Sequence, residues 1–193
     1  MDHPTIQAAD LVALNQTKKI SIIIMMTAAC VGSNYAMLGI INVKFMDVIV
    51  FITGLAFGSG IGMAVGFLSW AIYGLINPYG FVLPILIATA TMESIYGLVG
   101  GLLGRESGKM IHSNLIVAGI QYAIAGLVLT IVYDLVTNIV FAVSFGIDLR
   151  VALIEGAPFT LVHTISNVSI FFVGVLPAIK GIRRLIPELN VNV

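Results

Sequence analysis

Charge is scarce in this sequence. Of 193 residues only 9 are basic and 9 acidic, and they cancel, while 59% are hydrophobic. A water-soluble domain of this length needs far more charge to clothe its surface, so the composition is that of an integral membrane protein. The even balance of sign also removes the basic face that nucleic acid requires. Cysteine occurs once, at Cys30, which excludes a disulfide framework and a cysteine metal set. Inside an apolar segment it reads as a small packing residue. The phosphate-binding pattern G-x-x-x-x-G-K-[ST] is absent, so any ATP hydrolysis linked to this chain belongs to partner subunits.

What is present is a series of long apolar runs, with a mean hydropathy of +1.09. A hydrocarbon layer ~30 Å thick takes about 20 helical residues per crossing. The runs predict helices over 20–41, 81–104, 112–145 and 151–182. The stretch from 44 to 77 is too long for one crossing, and "FGSGIG" (57–62) breaks it. It therefore predicts two short helices, 44–57 and 59–76, joined by a glycine turn. The whole chain, 1–193, reads as one all-α integral membrane domain, a bundle of six transmembrane helices. A polar leader, 1–18, precedes it and either lies along the interface or frays. The first apolar run follows that leader and is too long for a signal peptide.

Basic residues orient the bundle. Six helices with cytoplasmic N- and C-termini place Lys18, Lys19, Arg105, Lys109, Lys180, Arg183 and Arg184 inside and only Lys44 and Arg150 outside. One helix across 44–77 gives a weaker split, six to three, so six spans are preferred. Small residues recur every fourth position: Ala28, Gly32 and Ala36 on the first helix, Gly58, Gly62 and Gly66 on the third, Gly97 and Gly101 on the fourth. Such faces permit close helix contact, within the bundle for most of them and with a partner membrane protein for at least one.

Polar residues converge on the outer side under this topology. Asn42, Lys44 and Asp47 fall in the loop joining the first two helices, and "NPYG" (77–80) forms the next outer loop. Thr130, Asp134 and Asn138 are four apart and share one face of the fifth helix. Glu155, Phe159, His163 and Asn167 make a second such stripe on the sixth. Charges at this depth in a bilayer are costly and face the bundle interior or a wet cavity. Asp134 or His163 alone is about equally well read as structural glue between helices; the two stripes together favour a binding cavity. Glu93 stands apart near the midplane of the fourth helix, where a structural role is preferred. Trp70 reads as packing, and Pro78, Pro84 and Pro158 as helix starts or loop residues.

The order of "NVKFMDVIVFITGLAFGSGIGMAVGFLSW", "NPYGFVLP", "YDLVTN" and "GAPFTLVHTISN" resembles the substrate-binding S components of energy-coupling factor (ECF) transporters. The resemblance covers about residues 28–172. It implies a six-helix subunit in the cell membrane that captures a vitamin or related small molecule from outside. Uptake then requires a membrane T component and two cytoplasmic ATPases, which use ATP; no cofactor resides in this chain and no catalysis is implied. The family's pocket maps here onto Asn42, Lys44, Asn77, Tyr79, Asp134, Asn138, Arg150, His163 and Asn167. Its small-residue docking face maps onto Ala28, Gly32 and Ala36, with glycine where the family's second alanine stands. The histidine-rich start of its metal-transporting branch is missing, since "MDHP" holds His3 alone, so no metal site is implied.

Two other classes compete. An intramembrane protease would pair a serine with His163, but "FGSG" lacks the G-x-S-G order. An autonomous proton-coupled carrier or channel would use Asp134 and His163 as a relay.

Overall fold

The computed structural model describes residues 15–78, 80–110 and 115–186, without the side chains of 105–110 and 183. Most of the 1–18 leader, His3, Tyr79 and the basic groups of Arg105, Lys109 and Arg183 thus lie outside the described residues. Among the described residues six helices follow one another: α1 (Gln16–Ala36), α2 (Met46–Phe57), α3 (Ser59–Ile76), α4 (Leu83–Met110), α5 (Leu115–Phe145) and α6 (Leu149–Leu185). No strand occurs among the described residues. Five helices, all but α2, are long and apolar enough to cross a membrane. This is a membrane-embedded helical protein.

Local chemistry sets the helix ends. Asn15 caps α1, its Oδ1 accepting from the Lys18 N–H at 2.8 Å. α1 stops at Ala36 rather than at 41, although the sequence stays apolar. Residues 37–41 are already turns, and Asn42 then adopts φ +56°, a left-handed conformation. α6 begins two residues before 151, with Asp148 accepting from the Arg150 N–H at 2.8 Å. Pro158 sits inside α6, together with Pro177, and is neither a helix start nor a loop residue. Lacking an N–H, it deprives the Ile154 carbonyl of its usual helical donor.

α2 is the hub. At 12 residues it is about 18 Å long, shorter than the hydrocarbon layer. Ten of those 12 residues are buried, so the other helices surround it instead of lipid. Glycines let it come this close. A Cβ on Gly54 would collide with the Gly97 carbonyl, one on Gly97 with the Gly62 backbone, and one on Gly100 with the Phe51 carbonyl. A Cβ on Gly66 would lie 2.7 Å from the Glu93 carbonyl. α2, α3 and α4 therefore touch backbone to backbone, which brings Trp70 of α3 and Glu93 of α4 to the first turn of α2. Gly58, at φ +96°, makes the tight turn between α2 and α3.

The α1–α2, α3–α4 and α5–α6 connections gather at one end of the bundle. Tyr35 donates to the Ile76 carbonyl at 2.8 Å and Asn42 to the Phe159 carbonyl at 2.8 Å, tying that end together. Toward the opposite end the core is apolar: Phe51, Phe171, Tyr122 and Val175 are almost wholly buried, with the Phe51 and Phe171 rings 5.0 Å apart.

Close glycine packing predicts an asymmetric response to added methyl groups. Gly97→Ala should lower the thermal stability of the detergent-solubilised protein by roughly 1–3 kcal/mol, the usual cost of overpacking. Gly32→Ala, at a position with nothing within 4 Å of the new carbon, should leave it unchanged or slightly raised. Equal melting shifts for the two variants would contradict this packing.

Candidate functional site

Beneath the three-connection end, a buried polar network crosses the bundle. Asp47 lies in the first turn of α2, His163 on α6 and Asp134 on α5. The imidazole bridges the two carboxyl groups, with Nε2 2.7 Å from Asp47 Oδ2 and Nδ1 3.0 Å from Asp134 Oδ1. Each contact holds one proton, whether ring or carboxyl carries it. Asn167, one turn deeper on α6, donates to Asp47 Oδ2 at 2.7 Å and to Thr130 Oγ1 at 2.8 Å. Tyr96 of α4 also donates to Thr130 at 3.0 Å, and Thr130 in turn donates to the Gly126 carbonyl at 2.7 Å. His163, Asn167, Thr130 and Glu93 are all 0% exposed.

α4 joins through Glu93. Its carboxyl group lies near that of Asp47, and its Oε2 accepts from Trp70 Nε1 at 3.2 Å. The Tyr133 ring packs edge-on against His163, centroids 5.9 Å apart. Unpaired charge in hydrocarbon costs several kcal/mol, so the contacts within the network hold its members together, although Asp47 Oδ1, Asp134 Oδ2, Glu93 Oε1 and Asn167 Oδ1 have no hydrogen-bond partner. Four helices are consequently pinned at one level.

Above the network opens a cavity of about 250 Å³. Its lining includes Asn42, Lys44, Trp70, Tyr133, Asp134 and Asn138, with the hydroxyls of Thr89, Thr137 and Thr160 and the ring of Phe159. Lys44, in the α1–α2 connection, holds its ammonium 5.3 Å from the Trp70 ring centroid and 5.2 Å from that of Tyr133. A larger groove of about 480 Å³ runs nearby between α4 and α5, but Leu83, Ile87, Val136 and Val140 make it apolar, and it faces where lipid would lie. Polar groups converge only on the smaller cavity. No family model, curated protein or solved structure matches the chain. The site therefore has to be read from its own geometry.

That geometry sorts the residues singled out from the sequence. Asn42, Lys44, Asp134 and Asn138 line the cavity, and His163 and Asn167 form the network beneath it. Asn42 is also a loop anchor through its bond to Phe159, and Asn138 Nδ2 returns to the Asp134 carbonyl of its own helix at 2.8 Å. Asn77 lies apart, its amide donating within its own turn to the Gly74 carbonyl at 2.9 Å. Arg150 is exposed in the first turn of α6, away from the cavity. Tyr79 is outside the described residues. Glu155 and Phe159, the upper half of the α6 stripe, are exposed, although the Phe159 ring reaches the cavity rim. Ala28, Gly32 and Ala36 share an exposed face of α1.

Several site residues escaped the sequence reading. Asp47 was placed in a loop, yet it is a helical residue, 1% exposed, and the acceptor on which His163 and Asn167 meet. Trp70 was read as packing, yet its ring walls the cavity and its indole N–H reaches Glu93. Glu93 was separated from the polar cluster and in fact adjoins it.

Removing the imidazole should leave two buried carboxyl groups without their bridge. His163→Ala is expected to cost roughly 3–5 kcal/mol in unfolding experiments, the range for breaking a buried pair. Asn138→Ala, which loses a bond within its own helix, should cost about 1 kcal/mol or less. Comparable losses in the two variants would mean that the bridge does not hold the helices.

Proposed function

We propose that the chain is a solute-capturing membrane subunit of an ATP-driven importer of the ECF type. The observation that carries this reading is a polar cavity open toward one end of the bundle and closed below by an apolar plug. Lys44, Asn42, Asn138 and three threonine hydroxyls offer a small polar molecule its contacts. Phe51, Tyr122, Phe171 and Val175 then block continuation to the other end. A dead-ended site suits capture followed by a conformational step, and it does not suit a pore. In this reading α2 counts as a sixth span, both termini face the cytoplasm and the cavity faces outward across the cell membrane. The cargo is a vitamin or related precursor. Transport energy comes from a T component and two ATPases, and the exposed Ala28, Gly32 and Ala36 face is the docking surface for the T component.

One observation favours a second reading. The unbroken contact series from Asp134 through His163 to Asp47 is a possible proton relay, as a self-sufficient proton-coupled carrier would need. Two measurements separate the readings. Under the first, native mass spectrometry of the purified chain detects a retained small molecule, and proteoliposomes accumulate it only with the partner ATPases and ATP. Accumulation driven by a proton gradient in vesicles holding this chain alone would establish the carrier reading and overturn the first.

A further inference from the structure

Lys44 is left in an incomplete state. It is the one cation lining the cavity, and among the described residues its ammonium donates no hydrogen bond and has no carboxylate within 4 Å. Its surroundings are two aromatic rings, Trp70 and Tyr133, a pairing weaker than a hydrogen-bonded ion pair. Each nearby acid has one oxygen engaged elsewhere and the other buried without a hydrogen-bond partner. Asp134 Oδ1 and Asp47 Oδ2 contact His163, and Glu93 Oε2 accepts from Trp70. Lys44 therefore does not close the network beneath it by direct contact; its three donors remain available to whatever enters from above.

From this we infer that the cavity takes a small organic acid whose carboxylate pairs with Lys44. The inference rests on the capture reading and names the chemical class of its ligand. Size supports it: about 250 Å³ lies below the ~300–1,000 Å³ typical of pockets for drug-sized molecules, so the ligand is compact. Asp134 is the one acid in the lining, with its Oδ1 on His163; the rest offers amides, hydroxyls and ring faces, which suit an uncharged body attached to that carboxylate. A cationic ligand would have to displace or sit beside the Lys44 ammonium in a confined space, at a Coulombic cost.

Trp70 is the only tryptophan in the chain, so its fluorescence reports on this cavity alone. The test compares benzoate, phenylacetate and hexanoate with their respective amides as probes at millimolar concentration, titrated into the full-length purified protein. The expected result is that at least one acid shifts Trp70 emission with an affinity at least about tenfold above its amide. That ratio should fall to about one in Lys44→Met, and Thr160→Phe, which fills the cavity, should abolish the response to every probe. If amides bind as well as acids and Thr160→Phe still abolishes both, the cavity stands and the organic-acid class is wrong. If the preference for acids survives in Lys44→Met, the assignment to Lys44 is wrong. If no probe shifts Trp70, or Thr160→Phe changes nothing, the class and the capture site fall together.

Discussion

His163 is held between Asp47 and Asp134, and the rest of the bundle is arranged around that bridge. A buried imidazole with a carboxyl group at each nitrogen has no tolerance for misplaced helices. α2, α5 and α6 must each present their residue at the same depth and within about 3 Å of its partner. In hydrocarbon no water compensates a missed contact. Hydrophobic burial alone gives apolar helices little register, since lipid tails are as apolar as leucine. The polar bridge adds to the register that close glycine packing sets among α2, α3 and α4.

The glycines of α2, α3 and α4 serve the same end from the other side. By removing Cβ atoms at Gly54, Gly62, Gly97 and Gly100, the sequence lets a short central helix sit against backbone. Glu93 then meets Asp47, and Trp70 meets Glu93. The cavity above is a consequence: with α2 drawn down into the core, the connection carrying Asn42 and Lys44 spans the mouth it leaves. Asn42 secures that span through its left-handed turn and its bond to Phe159. Binding surface and structural brace are thus two sides of one layer, with Asp134 belonging to both.

Much of this was legible in the chain before any coordinates. Four-residue spacing put Asp134 and Asn138 on one helix face and His163 and Asn167 on another, and the cost of burying such groups pointed them inward. Hydropathy found the long helices. It failed at Ala36, where the helix gives way to turns although side-chain polarity does not change. It also failed for Asp47, whose neighbours Lys44 and Asn42 made the segment look like a loop. Glu93 and Trp70 were hidden for a different reason: what unites them with Asp47 is glycine-mediated contact between helices distant in sequence. Arg150 and Asn77 show the opposite error. Both lie in the right connections, but local turn and cap geometry hold them there without turning them toward the cavity.

The central claim is that one imidazole couples α2 to α5 energetically, so that Asp47 and Asp134 act as a pair although they are not in contact with each other. A double-mutant cycle in denaturant unfolding tests it, with Asp47→Asn and Asp134→Asn made singly and together, in the native background and again in His163→Ala. The account predicts a coupling of about 0.5–3 kcal/mol in the native background that disappears without the imidazole. Additive effects in both backgrounds, or a coupling that survives the loss of His163, would contradict it.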